Sequence, residues 1–154
     1  MLIHIQSGET YPISFHYLQP HDIVDQMYDW EENFDWSVYF GQHGIAVYKM
    51  VIHGDDVIQG AIALEHREDH VWVHLIESVP RKRKEFDLIG EHLMVFACKC
   101  SMEVGFEGAV AFQSKMKAPL IQYYINVIGA KRITSTFMLI DESVAERLVM
   151  LYLC

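Results

Sequence analysis

Cysteine, basic charge and long hydrophobic runs are all scarce in this sequence, and each shortage excludes a class of protein. The 154 residues hold three cysteines whose spacing does not suit a disulfide framework, which indicates a reducing, cytoplasmic setting. Only 12 Lys and Arg stand against 21 Asp and Glu, and this net charge of −9 argues against nonspecific nucleic-acid binding. The densest apolar run, residues 93–98, is far shorter than the ~20 residues of a membrane span, so no membrane partner is expected.

Hydrophobic residues are nevertheless abundant enough to build a core. They make up 51% of the sequence and aromatic residues 12%, which excludes a disordered chain. No repeat, linker or low-complexity segment divides the sequence, and no signal peptide is readable at its start. We therefore expect one globular domain over residues 1–154.

Hydrophobic periodicity predicts the order of the structural elements. The first half is expected to form a helix and then an antiparallel meander of three strands, at residues 21–31, 45–52, 57–65 and 71–79. The second half is expected to alternate helices and strands, beginning and ending with a helix, at residues 87–104, 109–112, 119–127, 133–140 and 144–153. Asp22 and Asp87 are placed as helix caps. This order is typical of an α/β or α+β protein, with helices packed on a sheet.

Three stretches, in their order along the chain, resemble the GNAT family of acyl-CoA-dependent N-acetyltransferases. They are LIESVP at 75–80; IGEHLM at 89–94, followed by GFEG at 105–108; and LIQYY at 120–124, followed by IGA at 128–130. The first resembles the family's fourth strand. The second resembles the end of the pyrophosphate loop with its long helix, and the third resembles the helix that contains a tyrosine. The resemblance covers most of the chain from residue 45 onward.

The resemblance implies both a fold and a reaction. The fold would be a mixed, mostly antiparallel central sheet flanked by helices, with strands four and five splayed around the pantetheine arm. The reaction would be direct transfer of an acetyl group from acetyl-CoA, as co-substrate, to a primary amine, without a metal. The positions expected to bind acetyl-CoA are Ser78, Val79, Arg81, Lys82, Arg83, Lys84, Ile89, Gly90, Glu91 and Lys115. A helix N-terminus with a glycine suits a pyrophosphate, because its N–H groups are unpaired and accessible.

The expected cofactor loop departs from the family pattern, which has two or three closely spaced glycines. Only Gly90 is present, Leu88 stands where a glycine is expected, and Glu85 and Asp87 bring negative charge near the phosphates. The basic run RKRK at 81–84 can compensate by contacting phosphates, or it is a solvated turn. A second interpretation therefore stays open, in which the chain is a catalytically inactive GNAT-like module for protein interaction or regulation.

Two residues are expected to carry the chemistry. Glu77 lies on a strand face with apolar neighbours, which disfavour its charged form and so strengthen it as a general base, acting directly or through water. Glu65, at the end of the preceding strand, is the competing base. Tyr124 faces inward on its helix and matches the family's tyrosine, so the resemblance implies a general acid. The alternative for Tyr124 is a core residue.

Acidic and aromatic residues are interleaved between residues 22 and 36, where no Lys or Arg occurs. Such a surface suits a cationic amine through charge and cation–π contact, although a solvated helix face is the alternative. The expected partners are therefore acetyl-CoA and an amine acceptor, cationic in the first interpretation, with a homodimer left open. His66 and His70 flank a turn without a third zinc ligand nearby, so no metal is expected.

Overall fold

The computed structural model describes residues 1–153. Its strands are β1 (Leu2–His4), β2 (Thr10–Tyr11), β3 (Ile13–Tyr17), β4 (Ile45–Ile52), β5 (Ile58–His66), β6 (Val71–Ser78), β7 (Phe86–Asp87), β8 (Val110–Gln113), β9 (Lys131–Arg132) and β10 (Phe137–Ile140). Its α-helices are α1 (Pro20–Gln26), α2 (Ile89–Glu103), α3 (Ala118–Tyr123) and α4 (Glu142–Tyr152). Short 3₁₀ turns occupy Trp36–Tyr39 and Arg81–Arg83, and a π-helical turn occupies Tyr124–Ile128. Over residues 1–153, none of the helices has the length and hydrophobicity that a membrane crossing requires.

The chain divides into two compact units. Unit one comprises Met1–Ala63 and Leu75–Leu93, and unit two comprises Leu64–His74 and the chain from Met94 onward. Unit one holds a three-stranded sheet in the order β2-β1-β7 and the β3-β4-β5-β6 part of the main sheet. Unit two holds the β6-β8-β10-β9 part of the main sheet. The expectation of a single domain stays a prediction.

Strand pairing confirms the expected fold class, a mixed and mostly antiparallel sheet flanked by helices. In unit one, β3 pairs antiparallel with β4. In unit two, β10 pairs antiparallel with both β8 and β9. The parallel pairing of β6 with β8 runs from Val71↔Val110 to Val73↔Phe112. Since β6 continues to Ser78, it extends beyond its paired segment, as a splayed pair of strands requires.

The elements with the longest periodic signal agree best with the sequence analysis. β4 begins and ends at the predicted residues, and α2 lies within two residues of its predicted start. Ile89, Leu93 and Ala97, three of the apolar residues that recur at intervals of three and four, are buried, and so are Met94 and Val95 between them. Burial thus extends around much of α2, and the apolar repeat predicts the helix without defining a single buried face.

The first helix is shorter than expected, because α1 ends at Gln26 rather than residue 31. Asp22 is not its cap but its third residue, where the carboxylate accepts the backbone N–H of Gln19 at 2.8 Å. Residues 29–35 carry four acidic side chains and no basic one, and a continued helix would leave them without oppositely charged neighbours. The chain turns there instead, and the backbone N–H of Glu31 donates to the side chain of Glu77 on β6.

The helix expected at 119–127 and closed by Gly129 is confirmed in extent: α3 passes directly into the π-helical turn, and Gly129 ends it with a left-handed φ of 89°. Two further predictions are wrong in detail. The strand expected at 133–140 shortens to β10, because Thr134 Oγ1 accepts the N–H of Phe137 and closes a turn. Asp87 caps no helix and belongs to β7, which pairs with β1. Strands of two or three residues such as β1, β2 and β7 are too short for periodicity to detect.

Candidate active site

The carboxylate of Glu77, near the end of β6, is held by two N–H donors in unit one. The indole Nε1–H of Trp36 donates to Oε1 at 2.7 Å, and the backbone N–H of Glu31 donates to Oε2 at 2.8 Å. The strand pattern predicts apolar neighbours for Glu77. The structure instead gives each of its carboxylate oxygens an N–H donor. Both donors come from the acidic and aromatic segment, so this segment is tied to β6.

A cavity of about 400 Å³ opens beside Glu77 in unit one. It is lined by Asp29, Trp30, Glu31, Glu32, Glu77 and Pro80. Four of these six residues are acidic, and the lining contains no Lys or Arg. The cavity therefore combines the negative charge and the aromatic surface that the sequence analysis assigned to the acceptor side, and it sits next to the expected base.

Arg83 turns toward this acidic segment. Its Nε donates to Asp29 Oδ2 at 3.0 Å, its Nη2 donates to Asp29 Oδ1 at 2.6 Å, and the same Nη2 donates to the carbonyl of Gln26 at 2.9 Å. The hydrogen bond from Arg83 lowers the pKa of the Asp29 carboxyl. Arg83 was expected to bind the cofactor, but its guanidinium is already engaged by a bidentate ion pair. Arg81, Lys82 and Lys84 remain as exposed cations of the loop.

The expected cofactor loop enters α2 through a left-handed residue. Leu88 has a φ of 74°, a conformation that glycine adopts readily and a residue with a Cβ adopts at a cost. The carbonyl of Leu88 accepts the backbone N–H of His92 at 3.1 Å and its Nδ1 at 2.8 Å. Leu88 thus adopts a backbone conformation that glycine favours, at the position where the family resemblance places a glycine.

Close packing at the start of α2 accounts for Gly60 on β5. A Cβ at this position would lie 2.8 Å from Leu93 Cδ1, 2.9 Å from Ile89 Cγ2 and 3.3 Å from the carbonyl oxygen of Glu77. Ile89 is 1% exposed, so this expected cofactor residue is buried in the structure. Gly90 and Glu91 are half-buried in the first turn of the helix.

The end of β6 carries the two other expected cofactor residues of unit one. Ser78 is half-buried, and Val79 is buried with its N–H donating to the carbonyl of Gln59 at 2.9 Å. Unit one therefore contains Glu77 and nine of the ten expected cofactor residues, all between residues 77 and 91.

Tyr124 and Lys115 belong to unit two. Tyr124 is 8% exposed, and its ring centroid lies 4.7 Å from that of Phe112 and 5.4 Å from that of Tyr123. Burial raises the pKa of the Tyr124 phenol, so its hydroxyl keeps its proton. Tyr124 also opens the π-helical turn, a distortion that occurs frequently at functional sites. Lys115 is exposed on the segment that follows β8.

Glu65, the competing base, is engaged in unit two. Its Oε1 accepts hydrogen bonds from His74 Nε2 at 2.9 Å and from Arg67 Nη2 at 3.1 Å. These bonds, that of His74 above all, lower the pKa of the Glu65 carboxyl. Glu65 is therefore engaged by two basic side chains, whereas Glu77 lines a cavity, and this favours Glu77 for the role.

Metal ligands do not converge in the part of the chain that the structure describes. No group of three or more His, Cys, Asp and Glu side chains there could hold a metal ion. His70 contacts Asp69 at 2.7 Å, next to it in sequence.

Comparison with solved structures finds this fold at low sequence identity. A domain from Methanocaldococcus jannaschii matches with a TM-score of 0.60 at 12% identity, over 85% of this chain and 99% of its own. A Bacillus anthracis protein described as a streptothricin acetyltransferase, in complex with acetyl coenzyme A, matches with a TM-score of 0.57 at 10% identity, over 85% of this chain and 96% of its own. No family model and no curated protein matches the sequence.

A longer acyltransferase shares the fold as well. The cAMP-binding acyltransferase from Mycobacterium smegmatis matches with a TM-score of 0.54 at 9% identity. The match covers 96% of this chain and 52% of the acyltransferase, so this chain spans about half the length of that protein. The fold is therefore GNAT-like, of the kind found in acyltransferases.

Proposed function

We propose that this protein transfers an acetyl group from acetyl-CoA to a primary amine. One observation carries the proposal: a carboxylate held by two N–H donors lies at the end of β6, beside an acidic and aromatic cavity. The GNAT-like fold adds support, because one of its solved neighbours holds acetyl coenzyme A. An N-acetyltransferase needs such a base, since an amine with a pKa near ~10 is mostly protonated at neutral pH and must lose a proton before it attacks.

Acetyl-CoA is proposed to bind along residues 78–91 of unit one. The phosphates would contact three exposed cations of the loop, Arg81, Lys82 and Lys84. Gly90, in the first turn of α2, has no side chain to keep the pyrophosphate from the N–H groups at the helix start. Ser78 and Val79 would line the pantetheine arm. Lys115 of unit two is a further proposed phosphate contact. Acetyl-CoA supplies the acetyl group as an activated thioester, and the protein's residues bind it and move protons.

The proposed chemical step assigns its proton transfers to two residues. Glu77 takes the proton that the ammonium form of the amine loses before the neutral nitrogen attacks the acetyl carbon. Tyr124 gives its proton to the sulfur when the carbon–sulfur bond breaks, so that the thiol leaves neutral. The second proton, which the nitrogen sheds as the amide forms, restores the Tyr124 phenol, and Glu77 releases its proton to solvent. Tyr124→Phe keeps the ring against Phe112 and removes only the hydroxyl, so turnover should fall by about 10²–10³-fold with folding unchanged. Tyr123→Phe is the control, and wild-type turnover of Tyr124→Phe would reduce Tyr124 to a core residue.

The acceptor is proposed to be a cationic amine, for example a polyamine or a lysine side chain. Two acidic residues of the segment 22–36 already have partners. Asp29 forms an ion pair with Arg83, and Asp35 accepts the N–H of Ser37 at 3.1 Å. Glu32 lines the cavity and is exposed, so it is the cleaner test. Glu32→Gln should raise KM for a diamine several-fold and leave KM for acetyl-CoA unchanged. Preference for neutral or anionic amines in an acceptor screen would contradict the proposal.

Binding of acetyl-CoA is the direct test. A ligand at 100 times its Kd adds about 2.7 kcal/mol of stability, which raises Tm by about 5–10 °C in a chain of this size. Lys82→Glu should weaken binding, and 0.5 M salt should weaken it in the wild type. Lys99→Glu makes the same charge change at an exposed position of α2 away from the loop and should leave binding unchanged.

The second candidate function is a GNAT-like module without catalysis. Two observations favour it, namely Leu88 at the glycine position and Arg83 engaged by Asp29. Native mass spectrometry of the purified protein separates the two functions. A mass shift from bound CoA or acetyl-CoA supports the transferase, whereas no bound CoA and no thermal shift at millimolar acetyl-CoA support the module.

A further inference from the structure

We propose that Trp36 is the positioning residue for Glu77, an inference that rests on the proposed function. The indole Nε1–H of Trp36 reaches Glu77 Oε1 at 2.7 Å, a short hydrogen bond to a charged group. Trp36 is 3% exposed, so its ring has little freedom to turn away. It opens the 3₁₀ turn Trp36–Tyr39, whose start Asp35 caps by accepting the N–H of Ser37.

The two donors fix the plane of the carboxylate. Trp36 holds one oxygen, and the backbone N–H of Glu31 holds the other at 2.8 Å. An ionised carboxylate offers about four lone-pair sites, so the two N–H donors together do not exhaust its capacity to accept a hydrogen bond or a proton. A base held in this way meets the amine in one orientation, which is the geometric requirement of general base catalysis.

The charge around Glu77 explains why donors are needed there. Asp29, Glu31 and Glu32 line the same cavity, and like charges disfavour the ionised form of a neighbouring carboxylate. Arg83 neutralises Asp29 alone. The N–H groups of Trp36 and Glu31 donate to the carboxylate and so act against this repulsion.

Replacing Trp36 by phenylalanine tests the inference through pH dependence. Trp36→Phe removes the N–H and keeps an aromatic ring, so the acid limb of kcat/KM for the amine should move to higher pH. KM for acetyl-CoA should stay unchanged. The matched control is Trp72→Phe, the same substitution at a residue of β6 that does not line the cavity, and it should leave the acid limb in place.

A double-mutant cycle distinguishes positioning from a merely structural role. In a Glu77→Gln background, Trp36→Phe should cost no further activity, because the group that Trp36 orients is already lost. Equal losses in both backgrounds would overturn the inference. If Trp36→Phe fails to fold, Trp36→benzothienylalanine keeps the bicyclic ring and removes only the N–H.

A titration read by NMR keeps this inference separate from the proposed function. The ¹³C signal of the Glu77 carboxyl should titrate at higher pH in Trp36→Phe than in the wild type, with or without any activity. Wild-type protein that neither binds nor turns over acetyl-CoA would refute the proposed function alone. An unmoved Glu77 titration in Trp36→Phe would refute the role of Trp36 alone.

Discussion

Replacing Leu88 by alanine and by glycine measures the strain at the entrance to α2. The left-handed φ of 74° brings the Cβ close to the following carbonyl and costs a non-glycine residue about 1–2 kcal/mol. Alanine and glycine both lose the half-buried leucine side chain, so the difference between them isolates the backbone. Glycine also gives the unfolded chain more conformational freedom than alanine does, which lowers the free energy of unfolding by about 0.4–1 kcal/mol. After this loss is subtracted from the strain relieved, Leu88→Gly should be more stable than Leu88→Ala by about 0.5–1 kcal/mol.

Urea unfolding at neutral pH is the assay. With an m value of about 2 kcal/mol/M, this difference moves the midpoint by about 0.3–0.5 M in favour of glycine. Lys99, exposed in the interior of α2, supplies the control pair. There the order should reverse, with Lys99→Ala more stable than Lys99→Gly by about 1 kcal/mol. A Leu88→Ala variant that is as stable as Leu88→Gly, or more stable, would refute backbone strain at residue 88.

Three other substitutions test the packing and charges of the structure by urea unfolding. Gly60→Ala should lose about 1–3 kcal/mol, since its Cβ would lie 2.8 Å from Leu93 Cδ1, and an unchanged midpoint would contradict this packing. Lys49→Met should lose about 3 kcal/mol, because it leaves the buried Asp22 carboxylate without the Nζ now 2.9 Å away, and combining it with Asp22→Asn should recover part of the loss. Asp141→Ala should lose about 1 kcal/mol at pH 7 by removing the cap of α4. The hydrogen bond from Lys131 lowers the pKa of Asp141 in the folded protein. The stabilisation by the Asp141 carboxylate is therefore fully present above pH ~3.9, the pKa of an unfolded Asp, and should be lost as the pH falls through the lowered pKa of the folded state.

Local and periodic features could be predicted from the sequence. β4 was predicted at both ends, and α2 was predicted within two residues, because each carries a long apolar pattern within its own span. The order of strands and helices followed, and with it the mixed sheet. Leu88 was identified as standing at a glycine position, and its left-handed backbone agrees with that identification.

The partners of the candidate site could not be predicted in the same way. Glu77 was selected as the base by strand alternation, yet its donors come from Trp36, 41 residues away, and Glu31, 46 residues away. Arg83 was assigned to the cofactor from the charge of its own segment, whereas its partner Asp29 lies 54 residues away. No local pattern specifies which distant group meets a given side chain.

Sequence periodicity alone therefore determined the longer elements and their order, since an apolar repeat is a property of each element by itself. Only the tertiary structure decided that the acidic segment turns back to β6, that its indole and backbone N–H groups hold Glu77, and that Arg83 serves this segment. Hydrogen bonds and ion pairs require two groups to meet within about 3 Å, and this condition depends on the path of the whole chain.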